Sequence, residues 1–454
     1  VTTLNPIRFP NLGSPSVMTK RAWWLVVLNV LIPGSVQSLA GNRRLARVGL
    51  VSTFVLWAVA IVAIVLALLD RTALISMIAH PISLTIVQVA LVYYLVLWVI
   101  LTLDTLRLVR LVRARPNARG FIAGLTVLVM VGLVAVGGYG AVVVGSARNL
   151  IVNVFSGGNM ADAIDGKFNI LLLGGDAGSS RIGLRPDSIS VVSIDENTGK
   201  ATIIGIPRNM QRVPFVKGSP MYGPYPNGYD CGVNCLVSYL YTYGEAHPEL
   251  YPDAKANGSE PGIEATRDAI EGVTGLTLQY YVLVDMGGFK DLINALGGID
   301  IDSTGRYPIG GEIDANGQPY DVESWIEPGE QHMTGRTALW YARSRHGTSD
   351  YDRMQRQRQV QEAILAQFTP ANVLTKFQNI AGAGTRIVKT DIPSGQLSSF
   401  ANLASKARSH KVAELELVPN NGVNMISPDF DDIHARVKKA VAATGATSSP
   451  TPTR

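Results

Sequence analysis

The sequence predicts an all-α membrane region followed by an α/β domain whose sheet is covered on its faces. Three observations carry this. Long uncharged apolar runs are confined to the first 150 residues. An excess of positive charge is confined to the same stretch. Beyond about residue 166, short apolar runs alternate with helical patterns and end in Gly and Asp.

The membrane region spans residues 22–147. Runs 48–69, 82–103 and 121–144 carry no charged side chain, and each is long enough to cross a bilayer core, which takes about 20 helical residues. Run 22–39 differs, because it contains Asn29, Pro33, Gly34, Ser35, Gln37 and Ser38. It reads as an amphipathic or re-entrant hairpin, with a fourth span as the alternative. Arg43, Arg44 and Arg47 follow the first run, and Arg107, Arg110, Arg113, Arg115 and Arg119 precede the last. The positive-inside rule places both Arg-rich loops in the cytoplasm and everything after Arg148 outside. With a re-entrant first run, residues 1–21 are cytoplasmic. The expected localisation is therefore a multi-pass cell-membrane protein with an extracytoplasmic C-terminal domain. Internal runs this long and numerous do not fit a cleaved signal peptide.

Residues 1–150 have 13 Lys and Arg against Asp70 and Asp104, and the remainder is net negative by six. Positive charge beside apolar runs reads as topology rather than as a nucleic-acid surface, so no nucleic-acid partner is expected. No ionisable residue interrupts the three spans, which argues against an ion transporter. The only cysteines are Cys231 and Cys235. A lone C-x3-C without an adjacent His does not make a zinc site; outside the cytoplasm it reads as a local disulfide, with two free thiols as the alternative.

In the outer part, 168–173 reads as a buried strand entering a Gly-Gly-Asp loop, and 188–194 and 201–206 as strands about a turn at 196–199. Helices are expected at 266–273, 289–296, 351–368, 396–408 and 431–442, with strands at 280–284 and 299–301. Gly297-Gly298 should cap the second helix. The loop 213–234, rich in Pro, Gly and Tyr, reads as a lid or rim rather than core, or as an inert surface insertion. Residues 444–454 read as a disordered tail.

Two clusters could carry chemistry. The first holds Asp176, Arg181, Arg185 and Asp187, with Arg208 one strand later. Two carboxylates on strand-end loops suit Mg²⁺, a hard cation that favours oxygen ligands and phosphate partners. The second runs from Arg343 through Arg345, His346, Asp350, Arg353, Arg356 and Gln357 to Arg358, five arginines and no lysine. Planar, always-charged guanidinium groups bind phosphate oxygens bidentately. Arg353, Arg356 and Gln357 lie three and four apart, which sets them on one helix face suited to a diphosphate. A solvated face laced with ion pairs is the competing reading of that helix, and His346 is read as a bystander. Walker, H-E-x-x-H and G-x-S-x-G motifs do not occur.

Five segments resemble the LytR-CpsA-Psr family: FNILLLGGD (168–176), RPDS (185–188), IPR (206–208), GGFKDLINALGGIDI (287–301) and PGEQHMTGRTALWYARSRHGTSDYDRMQRQRQV (328–360). The last is the most specific, and the cysteine pair and four-run membrane half resemble actinobacterial members. The resemblance implies a three-layer α/β/α domain at 166–443 that holds a polyprenyl pyrophosphate and Mg²⁺, with Mn²⁺ as an alternative. It implies transfer of a glycan phosphate from that lipid to peptidoglycan, at the C6 hydroxyl of muramic acid; the polymer could be arabinogalactan, a teichoic-acid-like chain or a capsule.

Carried over by position, Asp176 and Asp187 are the metal carboxylates. Arg185, Arg208, Arg343 and Arg345 are the pyrophosphate arginines and Arg181 an addition to them, while Asp350, Arg353 and Gln357 match the acid, arginine and amide of the long helix. Arg356 joins them as a substrate-binding residue by its spacing. Asn209 stands where many relatives have Asp after Pro-Arg, and Ser188 where Thr is commoner. The expected partners are thus the lipid-linked glycan donor, the peptidoglycan acceptor and the membrane. The alternatives are a hydrolase using the same site with water, and a receptor that binds anionic wall polymers without chemistry. Nothing in the residues fixes an oligomeric state.

Overall fold

The computed structural model describes residues 7–445 except 71–72, 75–76, 78–79, 156–157, 177–184, 315–317, 345–349, 368–375, 377–378, 384–387 and 408–409. The chain divides into two units, Val1–Arg148 and Asn149–Arg454.

The first unit holds α1 (Pro15–Leu31), α2 (Ser35–Ala40), α3 (Arg43–Leu69) and α4 (Pro81–Val109), and α5 (Pro116–Val154) starts in it. Among the described residues, three helices are long and apolar enough to cross a membrane: Arg43–Leu69, Pro81–Arg113 and Pro116–Val154. The run at 22–39 is broken between α1 and α2. Pro33 withholds a backbone donor there, and Gly34 takes φ 95°, a left-handed conformation that disfavours a side chain. A Cβ on Gly34 would meet the backbone of Gly49 and Leu50 of α3 at 2.8 Å or less. The polar residues of this run are spent internally. Asn29 Nδ2 donates to Thr102 Oγ1 at 3.0 Å, and Gln37 Nε2 donates to the Leu101 carbonyl at 3.0 Å. In an apolar medium such pairing is what permits a broken helix.

The second unit is built on one six-stranded sheet of order β10-β3-β2-β1-β4-β9. Its strands are β1 (Lys167–Asp176), β2 (Arg185–Asp195), β3 (Ala201–Ile206), β4 (Tyr280–Asp285), β9 (Val388–Thr390) and β10 (Ala413–Glu416). β1 pairs antiparallel with β2 and parallel with β4. Two small sheets, β5 (Ile299–Ser303) with β8 (Gly329–Met333) and β6 (Tyr307–Ile313) with β7 (Pro319–Ile326), stand apart from it.

Successive strand residues point to opposite faces, so each central strand supplies two sets of apolar side chains. Leu171, Leu173, Val191, Ile204 and Ile206 face one way. They close against α6 (Leu240–Ala246), α7 (Pro261–Thr274) and α12 (Phe430–Gly445) in the main core. The loop expected at 213–234 to be a rim, or an inert insertion, belongs to this core instead. Val213, Phe215, Met221 and Tyr229 are buried in it, and Tyr225, Tyr229 and Tyr243 stack edge to face. The aromatic side chains need apolar cover more than the Pro and Gly residues need solvent, which is why composition misjudged the segment.

On the other side stand α8 (Met286–Leu296), α9 (Gly335–Arg343) and α10 (Asp350–Gln367). α8 is started by Asp285, whose carboxylate accepts from the Gly288 N–H at 2.6 Å, and is ended by Gly297 at φ 84°, as the Gly-Gly cap predicts. These helices form a second core of their own with β5–β8, around Ile293, Ile299, Met333, Tyr341 and Val360. Over the base of the sheet, α11 (Leu397–Ala407) packs Phe400 and Leu403 against Phe168, Ile170 and Tyr280.

Candidate active site between the sheet and its helices

The helical layer does not close on the sheet. Between them lies a cavity of about 730 Å³. The sheet contributes the residues that alternate with the core set: Leu172, Val192, Ile203 and Val282. Leu292, Trp340, Val360 and Ile364 line the opposite wall. The lining also carries polar side chains: Asp187, Ser188, Asp285, Glu312, Arg343, Arg353, Gln357 and Gln361.

A β-bulge sets Asp187. Gly174 pairs with Ser188 and Gly175 with Pro186, so Asp187 is the extra residue between them. Strict alternation would turn Asp187 to the opposite face from Ser188. The bulge brings both to the cavity, a common use of this irregularity beside active sites. A Cβ on Gly174 would lie 3.1 Å from that of Ser188, so the glycine gives room there. Arg208, two residues beyond β3, donates from Nη1 to Asp187 Oδ1 at 2.5 Å, with both side chains partly exposed. Asp176 ends β1 with its Cα opposite that of Arg185. Arg185 lies over the Tyr239 ring, with Cζ 4.6 Å from its centroid.

The long helix divides its polar residues between two jobs. Arg353 and Gln357, four apart, line the cavity, and Arg353 does so although only 3% exposed. Gln357 also lies 3.4 Å from the Ala342 carbonyl. Arg356 does not line the cavity. Its Nε donates to the Tyr341 carbonyl at 3.0 Å, its Nη2 donates to the Ser344 carbonyl, and its guanidinium lies 4.5 Å from the Tyr307 ring centre. It ties the end of α9 to α10 and so holds Arg343 and Arg353 near one another. Arg358, buried on another flank, donates to Glu416 Oε1 of β10 at 2.7 Å. The shared face predicted for residues 353, 356 and 357 thus narrows to Arg353 and Gln357.

Arg181, Arg345 and His346 lie outside the described residues, and of Asp176 and Asp350 only the backbone is described. Cys231 and Cys235 are joined in a disulfide, Cα to Cα 5.2 Å. Sequence reasoning missed Tyr239 and the lipophilic walls. A signal for the walls was present, since β2, β3 and β4 are apolar on both faces, but it fits an ordinary buried sheet equally well.

No group of three His, Cys, Asp or Glu able to hold a metal occurs among the described residues. That does not conflict with Mg²⁺, which is commonly held by one or two carboxylates together with substrate phosphates. Asp187 offers hard oxygens to the cavity, its charge already balanced by Arg208. The arrangement suits an amphiphile, with an apolar body along the aliphatic lining and a polyanionic head beside Arg343 and Arg353.

The chain is similar to several known proteins. Polyisoprenyl-teichoic acid–peptidoglycan teichoic acid transferase TagV of Bacillus subtilis (strain 168) is 29% identical over 192 residues, 40% of this chain and 47% of that protein. The transferase of the same title, TagU, from Bacillus licheniformis is 30% identical over 189 residues, 40% of this chain and 58% of that protein. Biofilm regulatory protein A of Streptococcus mutans is 27% identical over 231 residues, half of each chain. The chain thus spans about half the length of the curated relatives it matches. The crystal structure of B. subtilis TagV superposes with a TM-score of 0.45 at 24% identity, covering 62% of this chain and 99% of that one. The family model LytR_cpsA_psr matches residues 149–439, well over half of the sequence, and the chain therefore belongs to the LytR-CpsA-Psr family.

Proposed function

We propose that this protein is a membrane-anchored, Mg²⁺-dependent phosphotransferase that moves a glycopolymer phosphate from a polyprenyl-pyrophosphate carrier to peptidoglycan. The observation that carries the reading is a largely apolar cavity lined also by Asp187, Arg343, Arg353 and Gln357, with Arg208 bonded to Asp187. The names of the Bacillus relatives support the same donor and acceptor classes. The three apolar helices and the placing of Arg in the loops of the first unit support a multi-pass anchor with the second unit outside, within reach of the lipid.

The prenyl chain lies along Leu172, Val192 and Ile203, where its burial supplies binding energy remote from the reacting phosphorus. Arg343 and Arg353 hold the diphosphate oxygens. Arg208 keeps Asp187 aimed, and Asp187 and Asp176 would hold the Mg²⁺, whose charge helps to neutralise the diphosphate. A wall hydroxyl attacks the phosphorus next to the glycan. The new P–O bond forms as the bond to prenyl phosphate breaks, and the hydroxyl proton passes to a carboxylate of the site. Catalysis here is mainly positioning and charge stabilisation.

The test is a transfer assay with the full chain in lipid vesicles, a short polyprenyl-pyrophosphoryl glycan and peptidoglycan fragments. Attachment that stops with a chelator and falls about 100-fold or more in Asp187→Ala supports the reading. Release of glycan phosphate without attachment points to a hydrolase. Metal-independent binding without release points to a receptor.

A further inference from the structure

We infer that Tyr239 is a positioning residue of this site: its ring is the platform that aims the Arg185 guanidinium at a diphosphate. The inference rests on the proposed reading of the site and adds to it a residue outside the motifs.

Three observations converge. The first is the stacking of Arg185 over the Tyr239 ring, 4.6 Å from Cζ to the ring centre. Stacking uses the flat face of a guanidinium and leaves its in-plane donors for an anion. The second is that Arg185 Nε is buried and has no hydrogen-bond partner among the described residues. A buried donor left unmade is costly, and an anion at the guanidinium would relieve that cost. The third is the anchoring of the platform. Tyr239 ends the turn Val237–Tyr239, in which Val237 and Ser238 are buried. In that turn the Ser238 N–H donates to the Arg208 carbonyl at 3.2 Å, and the Val237 N–H donates to the Met210 carbonyl at 3.0 Å. The Cys231–Cys235 disulfide closes the loop just before it. One short segment therefore fixes the backbone of Arg208, beyond the end of β3, and the side chain of Arg185, at the start of β2.

The experiment measures binding of farnesyl pyrophosphate to the full chain in detergent micelles. Tyr239→Leu should raise the Kd by about 10-fold, within the range expected for a partly desolvated cation–π contact. Tyr239→Phe, which keeps the ring, should restore tight binding. With Arg185→Ala as background, Tyr239→Leu should cause no further loss, because the pair acts as one unit. Equal Kd values for wild type, Phe and Leu variants overturn the inference while leaving the proposed function standing. A Leu effect that persists undiminished in the Arg185→Ala background also overturns it, since the ring would then act through general packing. No binding by the wild type overturns the inference and the reading of the site together.

Discussion

The two faces of the central sheet are built from the same strands and similar side chains, yet one is shut and the other open. On the shut face, Leu171, Leu173, Val191 and Ile204 meet α7, α12 and the aromatic loop in one core. On the open face, Leu172, Val192 and Ile203 line a cavity of about 730 Å³, because the helices opposite keep a core of their own. Apolar surface left unclosed forgoes stabilisation of about 25 cal/mol for each Å². A sheet can thus be apolar on both faces for two reasons, to close a core on one side and, in the proposed reading, to take a lipid on the other.

The largest expected effect tests whether the open face's roof stands by itself. Arg356→Ala would strand the Tyr341 and Ser344 carbonyls and remove the stack on Tyr307, at a cost of about 4 kcal/mol in chemical denaturation. A variant as stable as wild type would show that the α9–α10 joint is held by other contacts. The next compares the faces directly. Leu171→Ala should cost about 3 kcal/mol, as for a fully buried leucine. Leu172→Ala, one residue along, should cost about 1 kcal/mol and instead weaken prenyl binding. Equal costs would erase the distinction between the faces. Removing the disulfide by Cys231→Ser with Cys235→Ser closes no long loop, and the loss should be about 2 kcal/mol.

The smallest effect concerns pH and the shut face. Asp268 on α7 accepts from Ser219 Oγ at 2.5 Å and Tyr251 Oη at 2.7 Å, and burial pushes its carboxyl above the ordinary 3.8. A carboxyl raised on folding binds its proton more tightly in the native state. Its contribution to stability therefore falls as pH rises from the ordinary carboxyl range through the raised value. Asp268→Asn removes that fall. Denaturation at pH 4.5 and at pH 7.5 should show the variant losing less stability between them than the wild type, and parallel losses would contradict the assignment.

Much of the outer unit was legible because its signals are local. The strands at 168–173 and 201–206, the Gly297-Gly298 cap and the long helix follow from apolar runs, φ-permissive glycine and helical periodicity. What escaped depends on contacts between distant segments. The β6–β7 hairpin has an irregular apolar pattern, and β9 and β10 are three- and four-residue edge strands defined only by their neighbours. The loop 213–234 read as a rim or an insertion from its Pro, Gly and Tyr content and proved to be core, because Tyr225 and Tyr229 find cover on Tyr243 of α6, outside the loop itself. Within the candidate site, arginine type and spacing marked the segment 343–358, but not that Arg356 turns to backbone carbonyls while Arg353 turns to the cavity. Nor could spacing foresee that a bulge would bring Asp187 to the same side as Ser188.

The most direct test of the central claim is photo-crosslinking of the full chain with a prenyl pyrophosphate carrying a diazirine on its chain, with the labelled residues mapped by mass spectrometry. The account predicts labels on the open face and its roof, at Leu172, Val192, Ile203, Trp340 or Ile364, competed away by unlabelled prenyl pyrophosphate. Competed labels that fall elsewhere and spare these residues would contradict it.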